Sequence, residues 1–442
     1  MTPHLAALLF LSVASGFAQT GPPFMAMGDS LGEGVQSANA FAASQPETYL
    51  NRVAQQMNVP FAQPLLKTSP YAFVGFSFGR SRTSLSTQPA DLAVSGATVN
   101  NVLSAVASTT PSTEADLVLP PYYGMSQIQI VEQAKPNFVI CWVGTDDLIA
   151  EVLNFYQLNH VQPTPLPTFT SEYQQLVSRL KATGAKAVLA NIPDFTKMGY
   201  LFDNADLTRY TGTDYHLAAG SVTTLPTMIL LKLGVFGPSI LQNPSYVLNA
   251  AELSALETQI QSYNAVIIQT AAANNFPVVD AYSILNSLIT NPITIEGITI
   301  GTHFNQGGFS LDGVHPSDTG YALFANYFIQ AANAAYGMNI PQISMSRLTT
   351  IFNADPFQDF GGAGVVAGRP YTGLLESLGP VLGLSGGPGY GGAKVSVMSP
   401  ARPADKNEFM RVYNTVKGQS PTKTFTDDDV IRAVADLFGV KY

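Results

Sequence analysis

Five short apolar runs frame this chain, at residues 24–27, 92–94, 138–143, 187–191 and 277–279. Short, continuous runs of this kind suit strands of a parallel sheet that is covered on both faces. Helical stretches lie between them. The clearest spans Ala250–Ala273, where Leu253, Leu256, Ile260, Tyr263, Ile267 and Ala271 recur at three and four. A second begins after His315. Pro316 stands where a helix start tolerates proline, Tyr321, Phe324, Tyr327, Phe328 and Ala331 fall on one face, and Gly337 marks the stop. Strands and helices in this order predict an α/β chain, a doubly wound three-layer α/β/α sandwich with a small C-terminal helical appendage. Right-handed crossovers then place the carboxyl ends of the strands on one edge, where open α/β sheets build reactive sites.

That edge receives chemically suggestive residues. The first run leads into Gly28-Asp29-Ser30, a small polar turn that delivers Ser30 at the sheet edge. A serine hydroxyl alone is a poor nucleophile and needs a base, and the base needs an orienting acid. Asp312-Gly313-Val314-His315 supplies both, three residues apart. Ser95-Gly96-Ala97 follows the second run, and Gly144-Thr145-Asp146-Asp147 follows the third. Gly-Asp-Ser alone is ordinary turn composition. The four pieces in this order resemble the SGNH/GDSL hydrolase superfamily over residues 24–337.

The resemblance implies a flavodoxin-like, five-stranded and mainly parallel sheet, and acyl transfer through a serine ester. Ser30 would be the nucleophile, His315 the base and Asp312 its orienter. The oxyanion would be held by the amides of Ser30 and Gly96 and a side chain from the third block. No cofactor and no metal are implied. At the third-block position the family carries asparagine, whereas this chain has Asp146. An ionised carboxylate accepts hydrogen bonds and repels an oxyanion. Three arrangements stay open: a protonated Asp146 that donates, an Asp146 turned away, or a slow catalyst. Gly28-Asp29-Ser30-Leu31-Gly32 also fits the nucleophile elbow of α/β-hydrolases. Against that rival, Ser30 ends the first strand, and the acid and histidine share one short turn.

Charged residues make up 12% of the 442, against roughly 25% in average proteins. A net charge of −9 without a basic run argues against nucleic acid and anionic membranes as partners. The apolar segment 217–241 is interrupted by Pro226 and Pro238 and contains a charge, so it is a poor membrane span. It reads as a core-packing insertion, with a lid or acyl-pocket wall as the sharper alternative. The lone Cys141 reads as a small buried hydrophobe. His160, His216 and His303 lack metal-ligand spacing.

Residues 1–18 have the apolar run and small-x-small end of a signal peptide cleaved near Ala18, which predicts a secreted or periplasmic protein. The hydrolase domain is then expected over 19–340, a Gly/Pro-rich linker or extension over 341–400, and a helical segment over 401–442 with Thr426 as a cap. Gly387-Pro388-Gly389-Tyr390-Gly391-Gly392 spells G-x-G-x-x-G, but it lacks the strand and helix of a dinucleotide site. The expected function is a secreted esterase or lipase whose substrate is a lipid, carbohydrate or other small-molecule ester. The alternative is a secreted binding or surface protein that keeps the fold while Asp146 weakens or abolishes turnover.

Overall fold

The structure is a computed structural model that describes residues 21–37, 40–67, 81–110, 113–153, 162–234, 236–358, 410–411, 413–415, 417–419, 429 and 433. The leader, His160, the glycine-rich stretch around 387–392 and Thr426 lie outside the described residues.

Four parallel strands form the central sheet: β1 (Phe24–Gly28), β2 (Phe138–Trp142), β3 (Lys186–Ala190) and β4 (Val278–Val279), side by side in that order. The expected fifth strand at 92–94 runs along the free edge of β1 with only one formal bridge, between Ala26 and Asp91. Three backbone hydrogen bonds bind it there: Ala26 N to Ala90 O at 2.9 Å, Leu92 N to Ala26 O at 3.0 Å and Val94 N to Gly28 O at 3.1 Å. The flavodoxin-like order is therefore present, with a short edge strand.

Alternation along the strands divides the core into two layers. Met25, Met27, Val139, Cys141, Ala187 and Leu189 face one side, in a cluster with side chains of α3 (Val99–Ser104), α4 (Gln127–Ala134), α5 (Leu166–Ala182) and α7 (Ala250–Ala273). Phe24, Ala26, Phe138, Ile140, Trp142, Val188 and Ala190 face the other, against α2 (Tyr49–Met57), α9 (Asp318–Tyr336) and α10 (Met345–Ala354). Both faces are covered, which is why these strands read as unbroken apolar runs. Trp142 is buried here with its indole N–H donating to Asn191 O at 3.0 Å, so the ring carries no orphan donor.

Helix α7 has the predicted bounds, its start held by a capping box between Asn249 and Glu252. Helix α9 ends at left-handed Gly337 as expected. Its buried stripe, however, is Tyr321, Ala322, Ala325, Phe328, Ile329 and Ala332, while Phe324, Tyr327 and Ala331 are only half-buried. The boundary drawn at residue 340 also shifts. Residues 341–358 pack on the domain through α10, with Leu348 and Ile351 in the second core layer and Asp355 accepting from Thr319 N at 2.8 Å. The segment 217–241 contributes α6 (Leu225–Lys232), whose Met228, Ile229 and Leu231 join the larger core cluster. Met410 and Ala433 are buried in that same cluster.

Candidate active site

The turn at the end of β1 is shaped by close backbone approach. A Cβ on Gly28 would sit 2.4 Å from Trp142 O, so only glycine lets β1 and β2 stay paired to this point. Asp29 then caps a one-turn helix, α1 (Ser30–Glu33), its Oδ1 accepting from Leu31 N at 3.0 Å. Ser30 is its first residue. Among the described residues, the Ser30 amide has no protein acceptor, the usual state of an amide in the first turn of a helix.

On the opposite side, the loop before α9 folds into a tight turn. Ser310 N donates to His315 O at 2.8 Å and Gly313 N to Ser310 O at 3.0 Å. Gly313 adopts φ +69°, and a Cβ there would lie 2.5 Å from Gly199 C. A side chain at 313 is therefore excluded twice over. Asp312 divides its carboxylate between backbone and imidazole. Oδ1 accepts from the amides of Val314 and His315, both at 2.8 Å, and from Ser310 Oγ at 3.2 Å. Oδ2 lies 2.7 Å from His315 Nδ1, and His315 Nε2 lies 2.8 Å from Ser30 Oγ.

An ionised carboxylate only accepts, so Nδ1 carries the proton and Nε2 presents its lone pair to the serine hydroxyl. Burial works to raise the Asp312 carboxyl, but the His315 charge and the hydrogen bonds from His315 and Val314 outweigh it and hold it below its ordinary value. The predicted Ser30, Asp312 and His315 thus form one continuous hydrogen-bonded chain.

Asp146 lines the same concavity as Ser30 and His315. Burial first, then the charges of Asp29 and Asp147, push its carboxyl well above the usual carboxylate range. Asp29 is completely buried and pushed up to about 7, burial being the main cause, opposed by the Leu31 amide and the His315 charge. Its Oδ2 has no partner among the described residues. Asp147 turns instead to Val99 N at 3.0 Å and is likewise pushed up to about 7, chiefly by burial. Two carboxyls with raised pKa, Asp29 and Asp146, thus line the pocket with the serine. Gly96 follows the edge strand, and its amide has no acceptor among the described residues. Glu33 fixes that loop, its Oε2 accepting from both Ser95 N and Ser95 Oγ at 2.6 Å. The roles of Glu33 and Asp29 escaped the sequence reading, although both sit within three residues of Ser30.

The concavity measures about 670 Å³ with its open mouth included. Apart from Asp29, Ser30, Thr145, Asp146 and His315, every lining residue is apolar, Ile149, Leu153, Phe195, Met198 and Phe324 among them. No described residue of 217–241 lines it. Leu230 is completely buried and Leu233 nearly so, which places the segment in the core and not over the site.

The remaining conspicuous residues stand apart. Cys141 is buried, which pushes its thiol up to about 12. His303 Nδ1 lies 2.8 Å from Asp206 Oδ2, and His216 is exposed beside Asp214. Among the described residues, no group of three or more potential ligands could hold a metal ion, and no helix is long and apolar enough to cross a membrane.

No curated protein sequence matches the chain. Solved structures similar to it include LAE5, an alpha/beta hydrolase enzyme from the metagenome of Lake Arreo, Spain, at 11% identity and TM-score 0.35, covering 71% of this chain and 96% of that one. The acetylxylan esterase Axe2 from Geobacillus stearothermophilus matches at 16% identity and TM-score 0.34, over 70% of this chain and 94% of that one. A lipase/acylhydrolase from Enterococcus faecalis matches at 12% identity and TM-score 0.31, over 70% and 95%. The model of the GDSL-like Lipase/Acylhydrolase family matches residues 24–328, more than half of the chain. With that match and this site, the chain belongs to the GDSL-like lipase/acylhydrolase family of ester-hydrolysing enzymes.

Proposed function

We propose that the protein is a secreted serine esterase acting on carboxylic esters through an acyl-enzyme. The observation that carries this reading is the chain from Asp312 through His315 to Ser30 at 2.7 and 2.8 Å, opening into an apolar pocket. His315 Nε2 takes the Ser30 proton as Oγ attacks the ester carbonyl, and returns it to the departing alcohol. Water then repeats the cycle on the acyl-serine. Asp312 keeps Nδ1 protonated and stabilises the imidazolium that forms. The oxyanion is held by the Ser30 and Gly96 amides and by Asp146 as a neutral acid, the form its desolvated, acid-crowded position favours.

Fluorophosphonate labelling tests the reading. Wild type should be labelled at Ser30 and hydrolyse p-nitrophenyl esters, and Ser30→Ala should lose both with its fold retained. Substantial esterase activity in Ser30→Ala refutes the assignment. Secretion rests on residues 1–18 alone. N-terminal sequencing of protein recovered outside the cytoplasm should begin near Gln19, and recovery of the intact leader in the cytoplasm would refute it.

A further inference from the structure

A second, apolar concavity lies beside the catalytic pocket, past Phe309. It measures about 440 Å³ with its open mouth included, and Leu285, Phe309, Pro316 and Phe324 wall both spaces. Leu288 from α8 (Ala281–Thr290), Ile300 from the 293–300 hairpin and Leu323 from α9 close the second space. Among the described residues its only polar side chains are Thr302 and Tyr327, and three glycines complete the wall. Leu288 and Leu323 are half-buried, so this apolar surface is concave and partly wetted.

We propose that this second cavity is a distal subsite for the far end of a long aliphatic acyl chain, which makes the enzyme selective for lipid-like esters. The proposal rests on the serine-hydrolase reading above. The four shared walls name the occupant, because a chain anchored at Ser30 that runs along Phe309 and Phe324 arrives there. The departing alcohol has to reach water, whereas the acyl group stays bonded to Ser30 until hydrolysis. An apolar wall therefore suits the acyl arm. Polar groups are concentrated at the Ser30 end, which fits an ester with one reactive head and a long inert tail.

Each methylene withdrawn from water should raise kcat/KM about fourfold until the passage is full. The test compares labelling rates of Ser30 by methyl and dodecyl fluorophosphonates, alongside kcat/KM for p-nitrophenyl acetate and dodecanoate, in wild type and Leu288→Trp. Wild type should prefer the long chain by at least about tenfold, and the bulky indole should reduce that preference about tenfold. Leu288→Asn, no larger than leucine, should reduce it too and serves if the tryptophan variant does not fold. Equal rates for both chain lengths in wild type overturn the subsite, as does a variant that slows both substrates equally. Methyl labelling without chain-length preference sinks the subsite alone. Absence of labelling by either probe sinks the serine reading and the subsite with it.

Discussion

Asp146→Asn gives the sharpest examination of the oxyanion site. Asp146 shares its pocket with Ser30 and His315, and its carboxyl is held well above the usual range by burial and by Asp29 and Asp147. A carboxylic acid donates only while protonated, so this donor is present below the Asp146 pKa and lost as pH rises through it. The base requirement runs the other way, because His315 must lose its proton before it can accept one from Ser30. Wild type should therefore show a bell whose falling limb belongs to Asp146. Asp29, pushed up to about 7, adds a further negative charge as it ionises. Loss of one oxyanion donor lowers kcat by about 10²–10³. The falling limb should accordingly lose about one decade per pH unit and level off two to three decades down. Asparagine donates without a titratable proton, so Asp146→Asn should keep the rising limb, lack the falling one, and exceed wild type by about 10² at the alkaline end. The assay is kcat for p-nitrophenyl acetate across pH 5–9, with circular dichroism confirming the fold. Superimposable profiles would refute the reasoning and leave the oxyanion to the Ser30 and Gly96 amides.

Further outcomes follow from the same geometry. Asp312→Asn should lower kcat by up to about 10⁴ with little change in KM, because tautomer control is lost while packing survives, as steady-state kinetics will read. Glu33→Ala frees the Ser95–Gly96 loop from two 2.6 Å hydrogen bonds and should lower kcat by about tenfold or more, with KM less affected. Leu230→Ala, at a completely buried site away from the pocket, should destabilise by about 2–5 kcal/mol in urea unfolding and leave the ratio of long- to short-chain ester rates unchanged. Burial pushes Asp91 up to about 8 in the folded state, above the roughly 3.9 of an unfolded aspartate. The stability it contributes is therefore full below about pH 4 and lost as pH rises through 8, so Asp91→Asn should raise Tm at pH 8 and flatten its pH dependence.

Residues that act through their sequence neighbours were legible in the chain alone. Gly28-Asp29-Ser30 and Asp312-x-x-His315 are each one turn, and such short spacings settle which side chains meet. The buried strands were legible for the same reason, since a run covered on both faces has no polar alternation to hide it. Helix α9 shows the limit. Periodicity placed Phe324 and Tyr327 on its apolar face, yet both are only half-buried, because α8 and the 293–300 hairpin leave a hollow there that no described side chain fills. Nor could sequence tell that residues 341–358 belong to the domain, since Asp355 is built in by Thr319 and Gln358 from distant and neighbouring turns. Glu33 meets Ser95 across 62 positions, and Asp29 and Asp147 raise the Asp146 pKa because the ends of β1 and β2 converge. Local chemistry is written in neighbouring residues, whereas pocket shape and carboxyl titration depend on distances between segments that only the folded sheet brings together.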